Sequence, residues 1–372
     1  MSDITSGFNI ADDIYLLPEF NDLCGFEEHE IGAAVQQVVA DCELPPEKAT
    51  EALDLMRTFY DGYSFTYHQA NTLYNPTMVL YFLKSLQRQC QYPRRILDTN
   101  LAMDRSKIAY VSQLARGNQV VMQALNEVQP LVTFELADRF GVAEMLKPQH
   151  DATFMISLLY YFGVLTLSAE HTLTGELILR VPNLVIRRLY VERVQELLLP
   201  DFDSREQARH VVGRLCQFGE LAPLCTFIEH KQFTVFSNRD YRWTNELTIK
   251  TLFLSLLFND TAYIMDSEPA LQRTYADLVM IVRPSMRQYQ LLDMLFEFKY
   301  VELGQLHLTG EQVRALETAE LQSLPAVQAA LSAAVQQLTR YRETLHQVYG
   351  DTLRLRTYAV VAVGFERLVW KE

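Results

Sequence analysis

Three ionisable residues stand in apolar surroundings in the last third of the sequence. Asp277 lies in Tyr275-Ala276-Asp277-Leu278-Val279, and about 20 residues on come Glu297-Phe298-Lys299. Charge is costly to bury unless it is paired or bound to a metal, so charge inside such runs needs a reason. The runs Ala276–Val282 and Leu291–Val301 read as strands, rich in β-branched and aromatic residues. Alternation along a strand then puts Glu297 and Lys299 on one face and Phe298 on the other. If Asp277 lies on the neighbouring strand, its carboxylate meets that of Glu297. Two carboxylates so placed suit Mg²⁺ or Mn²⁺, hard cations that take oxygen ligands. A cation held there would polarise a phosphodiester and acidify a bound water. Lys299 would orient the attacking water and offset charge on the phosphorane. The competing reading is a structural salt bridge within a sheet.

Further residues are weighed around this trio. Glu246 opens a helix from Glu246 to Phe258, where it could lean toward the same metal or simply sit in the favourable field of a helix N-terminus. Gln337, in Val335-Gln336-Gln337-Leu338, could orient a water or a phosphate, or be an ordinary surface glutamine. Tyr341, one turn later, reads as a packing residue, and Glu268 is a reserve ligand. No HExxH, GxSxG or CxxC pattern occurs, and the histidines are isolated from one another.

The elements that must position these groups follow from periodicity. Beyond about Phe233 the order is helix (246–258), strand (276–282), strand (291–301), long helix (Val327–Tyr349), strand (Thr357–Phe365) and a short Arg367–Trp370. This is an α/β arrangement with a mixed central sheet. Residues 1–125 read as helices joined by polar turns, with Asp61-Gly62 and Asn75-Pro76 as breaks. The segment 126–232 is mainly helical with a small hairpin, Val164–Ser168 and Leu177–Val181 around Thr174-Gly175, which suggests a winged-helix-like module. A multidomain α+β/α/β chain is therefore expected, divided as 1–125, 126–232 and 233–372. In Phe59–Phe65 the expected role is a turn at Asp61-Gly62 with tyrosines packed on helices, rather than a platform for single-stranded nucleic acid.

Composition sets the outer bounds. The chain has 372 residues, 49% of them apolar and 21% charged, as in globular proteins. A formal net charge of −13 argues against a protein that coats nucleic acid through a general basic surface, but leaves room for a locally basic cleft. Beyond residue 235 the balance is nearer neutral, about 14 basic to about 16 acidic residues. No stretch is long and apolar enough to cross a bilayer, and the residues after Met1 lack the basic and apolar regions of a signal peptide. The five cysteines are odd in number and scattered, which predicts neither a disulfide framework nor a zinc site, and a reduced cytoplasmic setting.

The Asp277, Glu297 and Lys299 set resembles the PD-(D/E)xK nuclease superfamily, and the match is nearest to the nuclease domain that ends bacterial AAA-ATPase-like proteins. Thr5–Ile10, Cys24–Glu30, Phe59–Phe65 and Leu73-Tyr74-Asn75-Pro76 resemble the later part of the ATPase-like region of that family, so the likeness spans nearly the whole chain. It implies a restriction-endonuclease-like α/β domain, metal ligation by Asp277 and Glu297, a catalytic Lys299, a helix glutamate at Glu246 and a late glutamine at Gln337. DNA is the implied partner, with a possible protein partner at the N-terminal region and none in the membrane. There are two departures. Relatives often carry Gly-Arg before the aspartate, where this chain has Thr274-Tyr275 with Arg273 adjacent. The chain also has no GxxxxGK[ST] loop, and no Gly is followed by Lys anywhere, so no ATP hydrolysis is expected. Residues 1–125 then read as the remnant of an ATPase-like domain, in a truncated gene product or in a recognition module. A catalytically silent scaffold that binds a partner is the alternative function.

Overall fold

Two motifs ten residues apart, Tyr60-Asp61-Gly62-Tyr63 and Tyr74-Asn75-Pro76, lie side by side in the N-terminal part of the chain. Helix α1 is Glu28–Asp41, α2 is Glu47–Tyr60 and α3 is Pro76–Gln89. Asp61 ends α2: its Oδ1 accepts the Gly62 amide (2.7 Å) and its Oδ2 accepts the Thr72 hydroxyl (2.8 Å). Gly62 has φ +116°, and a Cβ there would stand 1.9 Å from the Pro182 carbonyl oxygen, so only glycine fits. The chain then pairs Tyr63 with Leu73 and Phe26 with Tyr74. Asn75 starts α3 by accepting the Thr77 and Met78 amides, with Pro76 in the first turn, where its missing N–H is harmless. Tyr60, Tyr63 and Tyr74 are buried. The aromatic motif is thus a packed turn, as its Asp-Gly pair predicts.

The computed structural model describes residues 17–66, 71–93, 96, 102–125, 130–137, 150–233, 246–265 and 277–372. The chain divides into two compact units, Met1–Val194 and Gln195–Glu372. The sequence reading set its boundaries at 125/126 and 232/233. The first unit continues with α4 (Ala102–Gln113), α5 (Gly117–Ala124), β1 (Leu131–Thr133), α6 (Ala152–Tyr161), β2 (Thr166–His171) and β3 (Leu177–Arg180). The strands form a small antiparallel sheet in the order β1-β3-β2. The expected hairpin is present, its first strand beginning two residues later than its composition suggests. Among the described residues no helix is long and apolar enough to cross a membrane.

Cys42 and Cys90, at the C-terminal ends of α1 and α3, form a disulfide with Cα atoms 5.5 Å apart. This corrects the expectation of unpaired cysteines. Forty-eight residues separate the two along the chain, and only folding of both helices onto one bundle brings them together. The reduced, cytoplasmic setting inferred from cysteine usage loses its support with that reading.

Helix α7 (Leu184–Leu198) runs across the division. In the second unit come α8 (Phe202–Phe218), α9 (Ala222–Phe227), α10 (Glu246–Leu257), β4 (Tyr263–Ile264), β5 (Leu278–Val282) and β6 (Asp293–Val301). Three short helices, α11 (Leu303–Leu306), α12 (Gly310–Ala315) and α13 (Thr318–Ser323), lead to α14 (Pro325–Tyr349), and β7 (Leu355–Val363) and β8 (Arg367–Lys371) close the chain. The sheet order is β4-β5-β6-β7-β8, with β6 and β7 parallel and every other pair antiparallel. The mixed sheet is as expected, with β4 an addition that two residues could not announce.

A parallel pair cannot be joined by a tight turn, so the chain between β6 and β7 must cross over a face of the sheet. Helix α14 does this over 25 residues. It buries Val327, Leu331, Ala334, Leu338, Tyr341 and Leu345, a helical stripe, against Val279, Ile281, Leu295, Ala359 and Val361. On the opposite face Phe253 of α10 packs on Phe298, ring centroids 4.8 Å apart, and Phe296 stacks on Tyr358 at 5.0 Å.

The start of β6 is pinned by Asp293, which is fully buried. Its carboxylate accepts the Val282 and Arg354 amides (2.8 and 2.9 Å) and both terminal nitrogens of Arg287 (2.6 and 2.8 Å). One side chain thereby ties β5, β6 and the entry to β7. Asp293→Ala strands the Arg287 charge and two amides, and is expected to cost about 3–5 kcal/mol in urea unfolding. A loss under about 1 kcal/mol would show that the strands hold register without it.

Candidate active site

The antiparallel register between β5 and β6 decides where Asp277 sits. Leu278 is opposite Phe296 and Val279 opposite Leu295, so one step further Asp277 stands opposite Glu297. Directly opposed residues share a face, and Lys299, two residues on, shares it too. Asp277 is the last residue before β5 is assigned, and its Oδ2 accepts the Phe298 amide at 2.8 Å. The two strands part at this point, and the aspartate carboxylate takes over a hydrogen bond from the backbone.

Lys299 links the group. Its Nζ donates to Glu297 Oε1 (2.9 Å), to Glu246 Oε1 (3.2 Å) and to the Phe298 carbonyl (3.0 Å). Glu246 reaches it from the first turn of α10, where a carboxylate also meets the positive end of the helix. One turn later on α10, Lys250 is buried, 8% exposed, with its Nζ 3.9 Å from Asp277 Oδ1. The structure therefore gathers Asp277, Glu297 and Lys299, the strand of Asp277 being the neighbour of β6, draws Glu246 to them from the helix that it opens, and adds Lys250.

Gln337 is half-buried one turn before Tyr341 on α14, and among the described hydrogen bonds none joins it to the cluster. Tyr341 belongs to the core, as expected, yet its phenol also faces the acids. Burial raises its pKa, and the charges of Glu297 and Asp277 raise it further, so it stays a protonated phenol at neutral pH. Glu268, Arg273, Thr274 and Tyr275 lie outside the described residues. Lys250 was missed because it sits in an otherwise apolar helix. The signal was its spacing: Glu246 and Lys250 are four apart and share a helix face.

The electrostatics follow from burial and mutual repulsion. Glu297 is 2% exposed, and burial, then the Asp277 charge, pushes its carboxyl up to about 7 against the lowering effect of Lys299. Burial also raises Glu246, with Asp277 adding to it while Lys299 opposes. Burial alone would lower Lys299, but the hydrogen bond to Glu297 and the surrounding carboxylates outweigh it and raise its pKa. Lys299 is therefore an ammonium at neutral pH, a source of positive charge and not a proton acceptor.

One carboxylate oxygen of the cluster is left for a ligand. Glu297 Oε2 is buried and has no hydrogen-bond partner among the described residues. Such an orphaned acceptor is expensive unless a ligand completes it. The available donors are carboxylate oxygens, the set that Mg²⁺ and Mn²⁺ prefer. Among the described residues no three His, Cys, Asp or Glu side chains are already drawn together as a metal-binding group. Lys299 instead spans Glu297 and Glu246.

Compared with family models, curated proteins and solved structures, the chain matches none.

The Glu297 shift has a measurable sign. The folded chain holds the Glu297 proton more tightly than the unfolded chain, where the carboxyl titrates near 4.5. Its contribution to stability is complete below that value and is lost as the pH rises through about 7. In metal-free protein, Glu297→Gln carries no charge at any pH. It should melt above wild type at about pH 8, with the gap closing toward about pH 5, as read by thermal denaturation. A gap that does not change across that range would mean that Glu297 is ionised throughout.

Proposed function

We propose that the second unit carries a metal-dependent nuclease site that hydrolyses phosphodiester bonds in DNA, with Mg²⁺ or Mn²⁺ as its cofactor. One observation supports this reading above the others. A buried carboxylate oxygen of Glu297 is left without a partner, in a cluster that already holds Asp277, Glu246 and the Lys299 ammonium. Asp277, Glu297 and Glu246 are the residues that would hold the cation. When bound, it would polarise the phosphodiester and lower the pKa of a water.

The remaining work falls to the chain itself. Lys299 sits two residues from Glu297 on the same strand face, where its fixed positive charge can stabilise an oxyanion that develops on phosphorus. Its three donors are held by Glu297, Glu246 and the Phe298 carbonyl, so its position costs little reorganisation. Asp277 is held by the Phe298 amide, which fixes the carboxylate before any ligand arrives. Helix α14 and Tyr341 cover the sheet on this face and limit water. The restriction-endonuclease-like reading of the sheet, the winged-helix-like reading of 126–232 and the ATPase-like remnant in 1–125 belong to this same proposal.

The ion pairs Lys299–Glu297 and Lys299–Glu246 also favour a second reading, a silent structural network on a scaffold that binds a protein partner. The two readings separate cleanly in assay. Purified protein is incubated with plasmid, single-stranded DNA and RNA, with Mg²⁺ or Mn²⁺ against chelator. The nuclease reading expects metal-dependent DNA cleavage that falls by about 100-fold or more in Lys299→Ala and in Asp277→Ala. Cleavage that is equal in both variants would trace to a contaminant. No cleavage with any metal, together with lowered melting of the Lys299 variant, would establish the structural network instead.

A further inference from the structure

We infer that Lys250 is a phosphate-binding residue of this site, gripping a non-bridging oxygen of the DNA backbone; the inference rests on the nuclease reading above. The two lysines of the cluster differ in how their donors are used. An ammonium has three N–H groups. Lys299 spends them on Glu297, Glu246 and the Phe298 carbonyl, and has no donor left. Lys250 is as deeply placed, 8% exposed, yet its Nζ stands 3.9 Å from Asp277 Oδ1, beyond hydrogen-bond reach, and near enough to Glu246 for its charge to lower that carboxyl's pKa. Among the described residues no hydrogen bond from its ammonium is present.

An ammonium on a largely buried side chain, with no hydrogen bond to the described residues, adds little as a structural element. If Lys250 served only to neutralise Asp277, a shift of under an ångström would bring the two into a charge-assisted hydrogen bond. Asp277 instead gives Oδ2 to the Phe298 amide, and the lysine is left with unspent donors in a site of mixed charge.

Charge balance says what would complete it. With all five groups ionised, Glu246, Asp277 and Glu297 outweigh Lys250 and Lys299 by one negative charge. A divalent cation turns this into one positive charge. A single phosphodiester, also singly charged, then brings the site to neutrality. Lys250 and Glu246 share a face of α10 one turn apart, so the lysine would meet the phosphate from the same side as the helix glutamate.

The test uses the full chain and a fluorescently labelled duplex oligonucleotide. Binding is followed by anisotropy with Ca²⁺ in place of Mg²⁺ over a range of salt, and cleavage is followed separately with Mg²⁺. Lys250→Met keeps the length of the side chain and removes its charge, and Lys250→Gln serves as a second variant should the first fail to fold. The expected result is a slope of log affinity against log salt shallower by about 0.9, the mark of one lost phosphate contact, and a KM raised about tenfold. Lys250→Arg should restore the slope. A merely structural lysine would lower melting without moving the salt slope. If wild type cleaves and Lys250→Met matches it in slope and KM, the inference is wrong and the nuclease reading stands. If wild type neither binds nor cleaves the duplex with any metal, both fall together.

Discussion

Directly opposed positions on an antiparallel pair bring side chains closer than almost any other relation in a sheet, and like charges there repel. Asp277 and Glu297 occupy that relation at the edge of an apolar sheet whose neighbouring residues, Leu278 and Phe298, are buried. Every local feature of the site answers this repulsion. Strand pairing stops at Leu278, so Asp277 can turn its carboxylate onto the Phe298 amide. Lys299 stands two residues from Glu297, which alternation makes the nearest position on the same face. Helix α10 begins close enough for Glu246 to reach that lysine. What remains unanswered is one oxygen of Glu297, and a carboxyl whose pKa is raised as a consequence.

The scaffold that makes this arrangement possible is set by one topological demand. Since β6 and β7 run parallel, the chain must leave the sheet and return, and α14 lies across the face that bears Glu297 and Lys299. Helix α10 covers the other face through Phe253, Phe296 and Phe298. The acids are thus buried by the same packing that supplies stability, and the aromatic layer beneath them has no polar partner to offer. Among the described residues, Asp277, Glu297 and Lys299 are compensated by each other, by the Phe298 backbone and by Glu246 and Lys250 of α10.

Much of this was legible in the sequence because alternation and helical period carry direction. Apolar runs separated by Gly and Pro marked β5, β6, α14 and β7, and the face shared by Glu297 and Lys299 followed from their being two apart. Asp61-Gly62 declared a turn because no other residue tolerates the approach to Pro182. The misses share a cause: each depends on tertiary placement. Leu291 and Leu292 read as strand, but the Leu292 amide bonds to the Cys216 carbonyl, outside the ladder, and β6 begins at Asp293. Strand β4 is two residues long and has no period to show. The Cys42–Cys90 pairing depends on the packing of α1 and α3, which cysteine counting does not see. Lys250 was hidden by its apolar helix, since only the position of Glu246 relative to the sheet reveals which way that face points.

Strand β6 contains its own control for what a buried acid means. Asp293 and Glu297 lie four residues apart on the same strand, point to the same face, and are both nearly inaccessible to solvent. Asp293 accepts four hydrogen bonds, two from the backbone and two from one guanidinium, so both of its oxygens are satisfied. Its charge is stabilised by the fold alone, and nothing needs to be added. Glu297 has one oxygen on Lys299 and the other without a partner among the described residues, with a second carboxylate opposite it. A fold able to complete Asp293 within the same strand could have completed Glu297 or replaced it with an apolar residue, which is often neutral or stabilising at such positions. Under the proposed nuclease reading, positive charge from outside the chain would supply the missing partner. Asp293 is what structural burial of an acid looks like here; Glu297 departs from it by one unpartnered oxygen, and it is that departure on which the proposed cation-binding role rests.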